Sequence, residues 1–278
     1  MKKTFFWILA IVITLSSAYY QRKTGPTKPK EAEVEFNDRT LNFRLPRSHV
    51  STKDCMIQIP VTDSLINGEI VFKRYPTNDE WRSIELNNAD KNLTGYLPKQ
   101  PPAGKLEYFI RLWKNESPDN IKKTPKVIIR FKGEVPDWAL IPHVLFMFIA
   151  MLLSNLTGLF ALGKMKQQVF YGRLTLALLI AGGLIFGPVV QYYAFGQAWT
   201  GIPLGWDLTD NKTLIAVLFW IAAVLANRKK INYKYTLVAS IVLLLIYIIP
   251  HSLFGSELDY EKGEVVTGMI HLISSKIF

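Results

Sequence analysis

Histidines, aspartates and one lysine near the ends of apolar runs are the residues whose types and spacing could do chemistry. Four histidines occur in 278 residues. Two of them sit in similar hexapeptides, Ile-Pro-His-Val-Leu-Phe at 141–146 and Ile-Pro-His-Ser-Leu-Phe at 249–254. A third polar stretch, Trp206-Asp207-Leu208-Thr209-Asp210-Asn211-Lys212, precedes another apolar run. If these three places lie at one depth in a helix bundle, His143, Asp207, Asp210, Lys212 and His251 converge on one polar pocket, which Glu257, Asp259 and His271 could extend. Two imidazoles with carboxylates hold a divalent metal such as zinc or copper. Two histidines on neighbouring helices ligate haem. The same groups could also bind an acidic or polar ligand.

A purely architectural reading of these residues stands beside the chemical ones and carries more weight. Asp207 or Asp210 suits the N-cap of a helix, and Asp207-x-x-Asp210 is a weak variant of the capping box. Pro142 suits a first helical turn, and Pro250 marks a helix end. A histidine at a helix interface can simply hydrogen-bond its neighbour. No His-Glu-x-x-His, Cys-x-x-Cys, Gly-x-Ser-x-Gly or P-loop pattern is present, so no reaction is legible.

The elements that must position these groups are apolar. Runs begin at Thr4, Ala139, Leu174, Thr213 and Thr236. A helix needs roughly 20 residues to cross about 30 Å of hydrocarbon. Only the second run, to Gly163, reaches that length unaided. The fourth, Thr213–Ala226, covers only about 21 Å as a helix, so it must extend back toward Asp207. The fifth must extend forward through His251 to Phe254. The expected spans are about 139–163, 172–192, 207–227 and 235–254, a four-helix transmembrane domain over 139–254. Residues 1–20 read as an N-terminal transmembrane anchor or a signal peptide: Lys2-Lys3 and an apolar stretch precede Ser16-Ser17-Ala18, a small-residue cleavage pattern. Tyr19-Tyr20 before Arg22-Lys23 favours the anchor. Residues 263–278, with apolar positions at Val265, Val266, Met269, Ile270, Ile273 and Ile277, read as an amphipathic helix on the outer face.

Between the first two runs the period changes from helical to alternating. Strands are expected near Leu41–Leu45, Cys55–Ile59, Glu69–Tyr75, Trp81–Leu86, Asn92–Leu97, Leu106–Trp113 and Val127–Phe131. Asn67-Gly68, Pro76–Asp79 and Pro101–Gly104 punctuate them. About seven strands in roughly 100 residues is the pattern of an antiparallel sandwich. Residues 31–134 therefore resemble an immunoglobulin- or fibronectin-like sandwich in pattern, without the paired cysteines of antibody domains. The fold class expected is thus an α+β membrane protein: an extracytoplasmic β-sandwich followed by a four-helix transmembrane bundle.

Charge supports that placement. Lys and Arg total 33 against 22 Asp and Glu, a net +11. Residues 163–173 hold Lys164, Lys166 and Arg173, and residues 227–235 hold Arg228, Lys229, Lys230 and Lys234, with no acid in either. The other short flanks carry acids. This alternation is the positive-inside signature of a multi-pass protein of the bacterial inner (cytoplasmic) membrane, with the sandwich and the C-terminus outside the cytoplasm. Interspersed charge without a basic groove and interleaved aromatics argues against nucleic-acid binding. A single cysteine excludes a disulfide framework and a zinc ribbon, and Cys55 falls on the apolar face of its strand. Expected partners are membrane lipids and a membrane or periplasmic protein. The function expected is partner binding by the sandwich or membership of a membrane complex, with no catalysis assumed. The alternative is a metal- or haem-binding membrane protein, a redox enzyme or assembly factor, built on His143 and His251.

Overall fold

The computed structural model describes residues 2–36, 39–61, 63, 65–114, 121–250 and 255–267. The chain is mixed α+β and divides into two compact units: helices from 1–26 and 135–256, and strands from 27–134 and 257–266.

In the strand unit, β1 (Lys30–Phe36) and β2 (Arg39–Leu45) form a hairpin. Strands β4 (Cys55–Pro60), β8 (Asn92–Leu97) and β7 (Asn87–Ala89) form a three-stranded sheet in the order β4-β8-β7. The larger sheet runs β3 (Ser48–Val50), β11 (Val127–Lys132), β9 (Lys105–Lys114), β5 (Ile66–Arg74) and β6 (Arg82–Glu85), with β10 (Lys122–Lys123) beside β9. All pairings are antiparallel except β3 with β11. Each of the seven expected stretches overlaps a strand, because strict alternation puts one apolar set on one face. Those faces share a single core: Cys55, Ile57 and Ile59 of β4 and Leu93 and Leu97 of β8 meet Ile70, Leu106, Tyr108, Ile110, Ile129 and Phe131 of the larger sheet. Cys55 is a core residue. Burial pushes its thiol from an ordinary 9.0 up to about 11.

The unit also takes residues 257–266 from far along the chain, most of a hairpin of β12 (Ser256–Asp259) and β13 (Glu264–Thr267). This corrects the expected helix over 263–278 for its first residues; the remainder, 268–278, lies outside the described residues. Asp259 Oδ1 accepts from the Glu261 and Lys262 amides, and Gly263 turns the chain at φ +70°. An Asp-opened, Gly-closed turn of this kind favours a hairpin over a helix.

In the helical unit, α1 (Lys2–Thr24), α2 (Asp137–Leu162), the continuous span 168–195 and α5 (Leu208–Ala226) are long and apolar enough to cross a membrane. Helix α6 (Tyr233–Ile248) has 16 residues. It corrects the expected span 235–254 at both ends. Asn232 caps it by accepting from the Lys234 and Tyr235 amides, which moves the start earlier. Pro250 disfavours helical backbone at Ile249, which sits at φ −66° and ψ 122° and ends the helix. His251 to Phe254 lie outside the described residues.

The 168–195 span is not uniform. It comprises α3 (Gln168–Leu179), a π-helical turn over Ile180–Phe186 and α4 (Gly187–Phe195). The turn carries Gly182 and Gly183, pressed against α2 and α5. A Cβ on Gly182 would lie 2.9 Å from the Phe146 Cβ, and one on Gly183 would lie 2.6 Å from Thr213 Cγ2. Helices α2 and α6 approach as closely at Gly158, where a Cβ would run into Ser240 Oγ.

Helix α1 is packed into this unit. Ala10 and Thr14 are buried, Asn155 of α2 donates to Thr14 Oγ1 at 3.0 Å, and Gln21 donates to the Tyr247 carbonyl of α6 at 2.9 Å. Phe6 and Trp7 meet Phe160 and Tyr171 edge to face. Its other face exposes Phe5, Ile8, Val12 and Leu15.

Candidate functional site

Three of the expected site residues, Asp207, Asp210 and Lys212, lie at the N-terminal end of α5. Asp207 is the N-cap: its Oδ1 accepts from the amides of Thr209 at 2.7 Å and Asp210 at 3.4 Å. Its Oδ2 accepts from the Ser256 amide at 3.1 Å and the Ser256 hydroxyl at 3.4 Å. Asp210, in the first turn, is turned onto the preceding loop. Its Oδ2 accepts from the Thr200 amide at 2.6 Å, the Thr200 hydroxyl at 3.0 Å and Gln191 Nε2 of α4 at 3.0 Å. Asn211 holds the same loop, accepting from the Ile202 amide at 2.8 Å.

Lys212 points to the other side. Its Nζ is 3.4 Å from the carbonyls of Ile249 and Pro250, which follow α6. Asp207, Asp210 and Lys212 are only 3%, 6% and 7% exposed. Two carboxylates beside the positive end of a helix are electrostatically favoured there, and Asp207 is within electrostatic reach of the Lys212 ammonium. Together the three side chains fasten the α4–α5 loop, the end of α6 and Ser256 to the first turn of α5.

His143 does not join them. Its Nδ1 donates to the Gly182 carbonyl of the π-helical turn at 2.8 Å. That carbonyl also accepts from the Gly187 amide. A π turn displaces carbonyls from the regular i to i+4 ladder, and His143 supplies a second donor for one of them. His251 and His271 lie outside the described residues. Glu257 and Asp259 belong to the hairpin of the strand unit. Among the described residues, no three His, Cys, Asp or Glu side chains come together in a way that could hold a metal ion.

Two polar arrangements escaped the sequence reading. One lies at the opposite end of the helices, where Gln168 of α3 donates to Asn227 Oδ1 at 2.7 Å and accepts from Thr236 Oγ1 of α6 at 2.5 Å. Asn227 also donates to the carbonyls of Ala223 and Asn232. Two amides and a hydroxyl at the ends of three apolar helices are a signal for it, but their pairing depends on packing.

The other arrangement latches the hairpin into the strand unit. Lys105 of β9 forms an ion pair with Glu257. The Tyr260 hydroxyl accepts from the Lys105 amide at 3.0 Å, donates to the Lys105 carbonyl at 2.9 Å, and lies 3.1 Å from Gln100 Oε1. The Leu258 amide donates to the Ala103 carbonyl at 3.1 Å, and the Arg74 guanidinium stacks 5.2 Å from the Tyr260 ring centre. Burial pushes the Tyr260 phenol up to about 12. Burial pulls the Lys105 ammonium below its ordinary value, and Glu257 opposes that shift.

Comparison with protein-family models, with curated proteins and with solved structures finds no match for this chain. The acidic oxygens at the α5 end are engaged by amides and hydroxyls of the same unit, an arrangement that organises a loop.

Proposed function

We propose that this chain is a multi-pass protein of the bacterial cytoplasmic membrane whose strand unit lies outside the cytoplasm as a binding module. The helices anchor that module, with no catalysis assumed. Parity supports the topology. Residues 27–134 and the hairpin 257–266 fold as one unit, so the chain between them must cross the bilayer an even number of times. Helices α2, α3–α4, α5 and α6 make four crossings. A 16-residue α6 covers only about 24 Å, and its short loops and aromatic flanks accommodate the difference. The basic loops at 163–173 and 227–235 then face the cytoplasm. Helix α1, bonded to α2 and α6, is a retained anchor in this reading rather than a removed signal. The common core of the three-stranded and larger sheets supports the immunoglobulin- or fibronectin-like sandwich.

One observation carries the binding role. Trp81 is 38% exposed and is flanked by Lys126 Nζ at 4.8 Å and Lys73 Nζ at 5.3 Å from its ring centre, with Phe109 edge-on at 5.3 Å. An exposed tryptophan set among cations is the composition of an interface hot spot. It fits a partner surface that presents carboxylates or phosphates. A photo-crosslinking residue at position 81, with one at Gln58 as control, tests this in native membranes. The expected result is a discrete adduct from position 81 alone, lost in Lys126→Glu. Equal labelling from both positions, or none, contradicts it.

A further inference from the structure

The basic end of the helical unit does more than fix orientation. We propose that it holds the phosphate of an anionic phospholipid, with Arg173 as the principal contact, at a cleft between α3, α5 and α6. Seven basic residues, Lys164, Lys166, Arg173, Arg228, Lys229, Lys230 and Lys234, fall in two segments without an acid. The fold brings those segments to one place. The Tyr233 hydroxyl donates to the Lys164 carbonyl at 2.9 Å, and the Gln168–Asn227–Thr236 network ties the three helix ends together.

A cleft opens at this junction. It is shallow and half open, lined by Gln168, Asn227 and Thr236 at the helix ends and by Gly172, Arg173 and Trp220 further in. Exposed Phe170 and Tyr235 flank it. A phospholipid has a two-part character, a charged head above an apolar stem. Arg173 stands one turn inside α3, at the depth of a headgroup rather than in the loop. Its guanidinium can take two phosphate oxygens at once. Basic clusters of four to eight residues attract the anionic leaflet diffusely. The cleft adds a fixed position, so one arginine should matter more than its share of charge.

The inference rests on the membrane reading above, though not on its orientation. The full chain is purified in nanodiscs containing phosphatidylglycerol or phosphatidylcholine, and retained lipid is counted by native mass spectrometry. Arg173→Gln is compared with Lys230→Gln, whose side chain is also exposed. The expected result is retained phosphatidylglycerol and not phosphatidylcholine. Arg173→Gln should weaken retention about tenfold, against about fivefold or less for a diffuse contribution such as that of Lys230. Unchanged thermal unfolding of both variants excludes a folding defect as the cause. Equal losses in the two variants, equal retention of both lipids, or displacement of the lipid by millimolar inorganic phosphate would each overturn the proposal. A chain that does not sediment with membranes fails the membrane reading itself. A chain that sediments but shows no preference fails this inference alone.

Discussion

Asp207→Ala separates an architectural α5 cluster from a chemical one. The substitution removes four hydrogen bonds from a residue 3% exposed. Loss of the N-cap leaves the amides of Thr209 and Asp210 without their acceptor and costs about 1 kcal/mol. Loss of Oδ2 removes the charged acceptor of the buried Ser256 amide, which costs about 1.5–3 kcal/mol. The Lys212 ammonium also loses its acidic neighbour. The total is a destabilisation of about 2–4 kcal/mol. Asp207→Asn keeps a cap acceptor and should cost about half as much. The assay is unfolding of the full chain from mixed micelles, followed by tryptophan fluorescence and set beside ligand and metal content. A destabilisation below about 0.5 kcal/mol, together with loss of a bound species, would refute the architectural reading.

Other outcomes follow from the same contacts. Tyr260→Phe leaves the Lys105 amide without its side-chain acceptor; faster hydrogen exchange should appear at Lys105 and Leu258 and not in β4, with a cost of about 1–2 kcal/mol. Cys55, at about 11, should resist a thiol reagent at pH 8 until the chain unfolds, since only about one thiol in a thousand is ionised and none is accessible. Its raised native value means the unfolded chain ionises first, so this residue's contribution to stability falls as pH rises above about 9. Gly158→Leu forces a side chain into Ser240 and should separate α2 from α6, lowering thermal stability by several degrees. Elemental analysis of wild type and His143→Ala should show no stoichiometric zinc, copper or iron in either; a metal present only in wild type would restore the metal reading.

The strands were legible because alternation is local: Leu41, Phe43 and Leu45, or Cys55, Ile57 and Ile59, announce a buried face without reference to anything else. The Asp207 cap was legible for the same reason. The boundaries of α6 were not, because the assumption of a 20-residue crossing outweighed the local effect of Pro250 on Ile249. The hairpin 256–267 is hidden by Val265, Val266, Met269 and Ile270, whose spacing fits a helix, while the turn at Asp259–Gly263 decides the local structure. The π-helical turn depends on Gly182 and Gly183 meeting α2 and α5, and on His143 finding the Gly182 carbonyl. Such contacts between distant residues leave no periodic trace. The bond from His143 to Gly182 is of this kind, since helix rotation, and not depth alone, decides which polar groups meet.

The central claim is that the strand unit and its hairpin lie on one side of a membrane and the basic loops on the other. Single cysteines at Lys53, Glu261 and Lys229, in a Cys55→Ala background, test it by labelling intact spheroplasts with a membrane-impermeant maleimide. The expected result is labelling at positions 53 and 261 from outside, and at 229 only after permeabilisation. Labelling of 53 and 261 from opposite sides, or of 229 from outside, would contradict the topology.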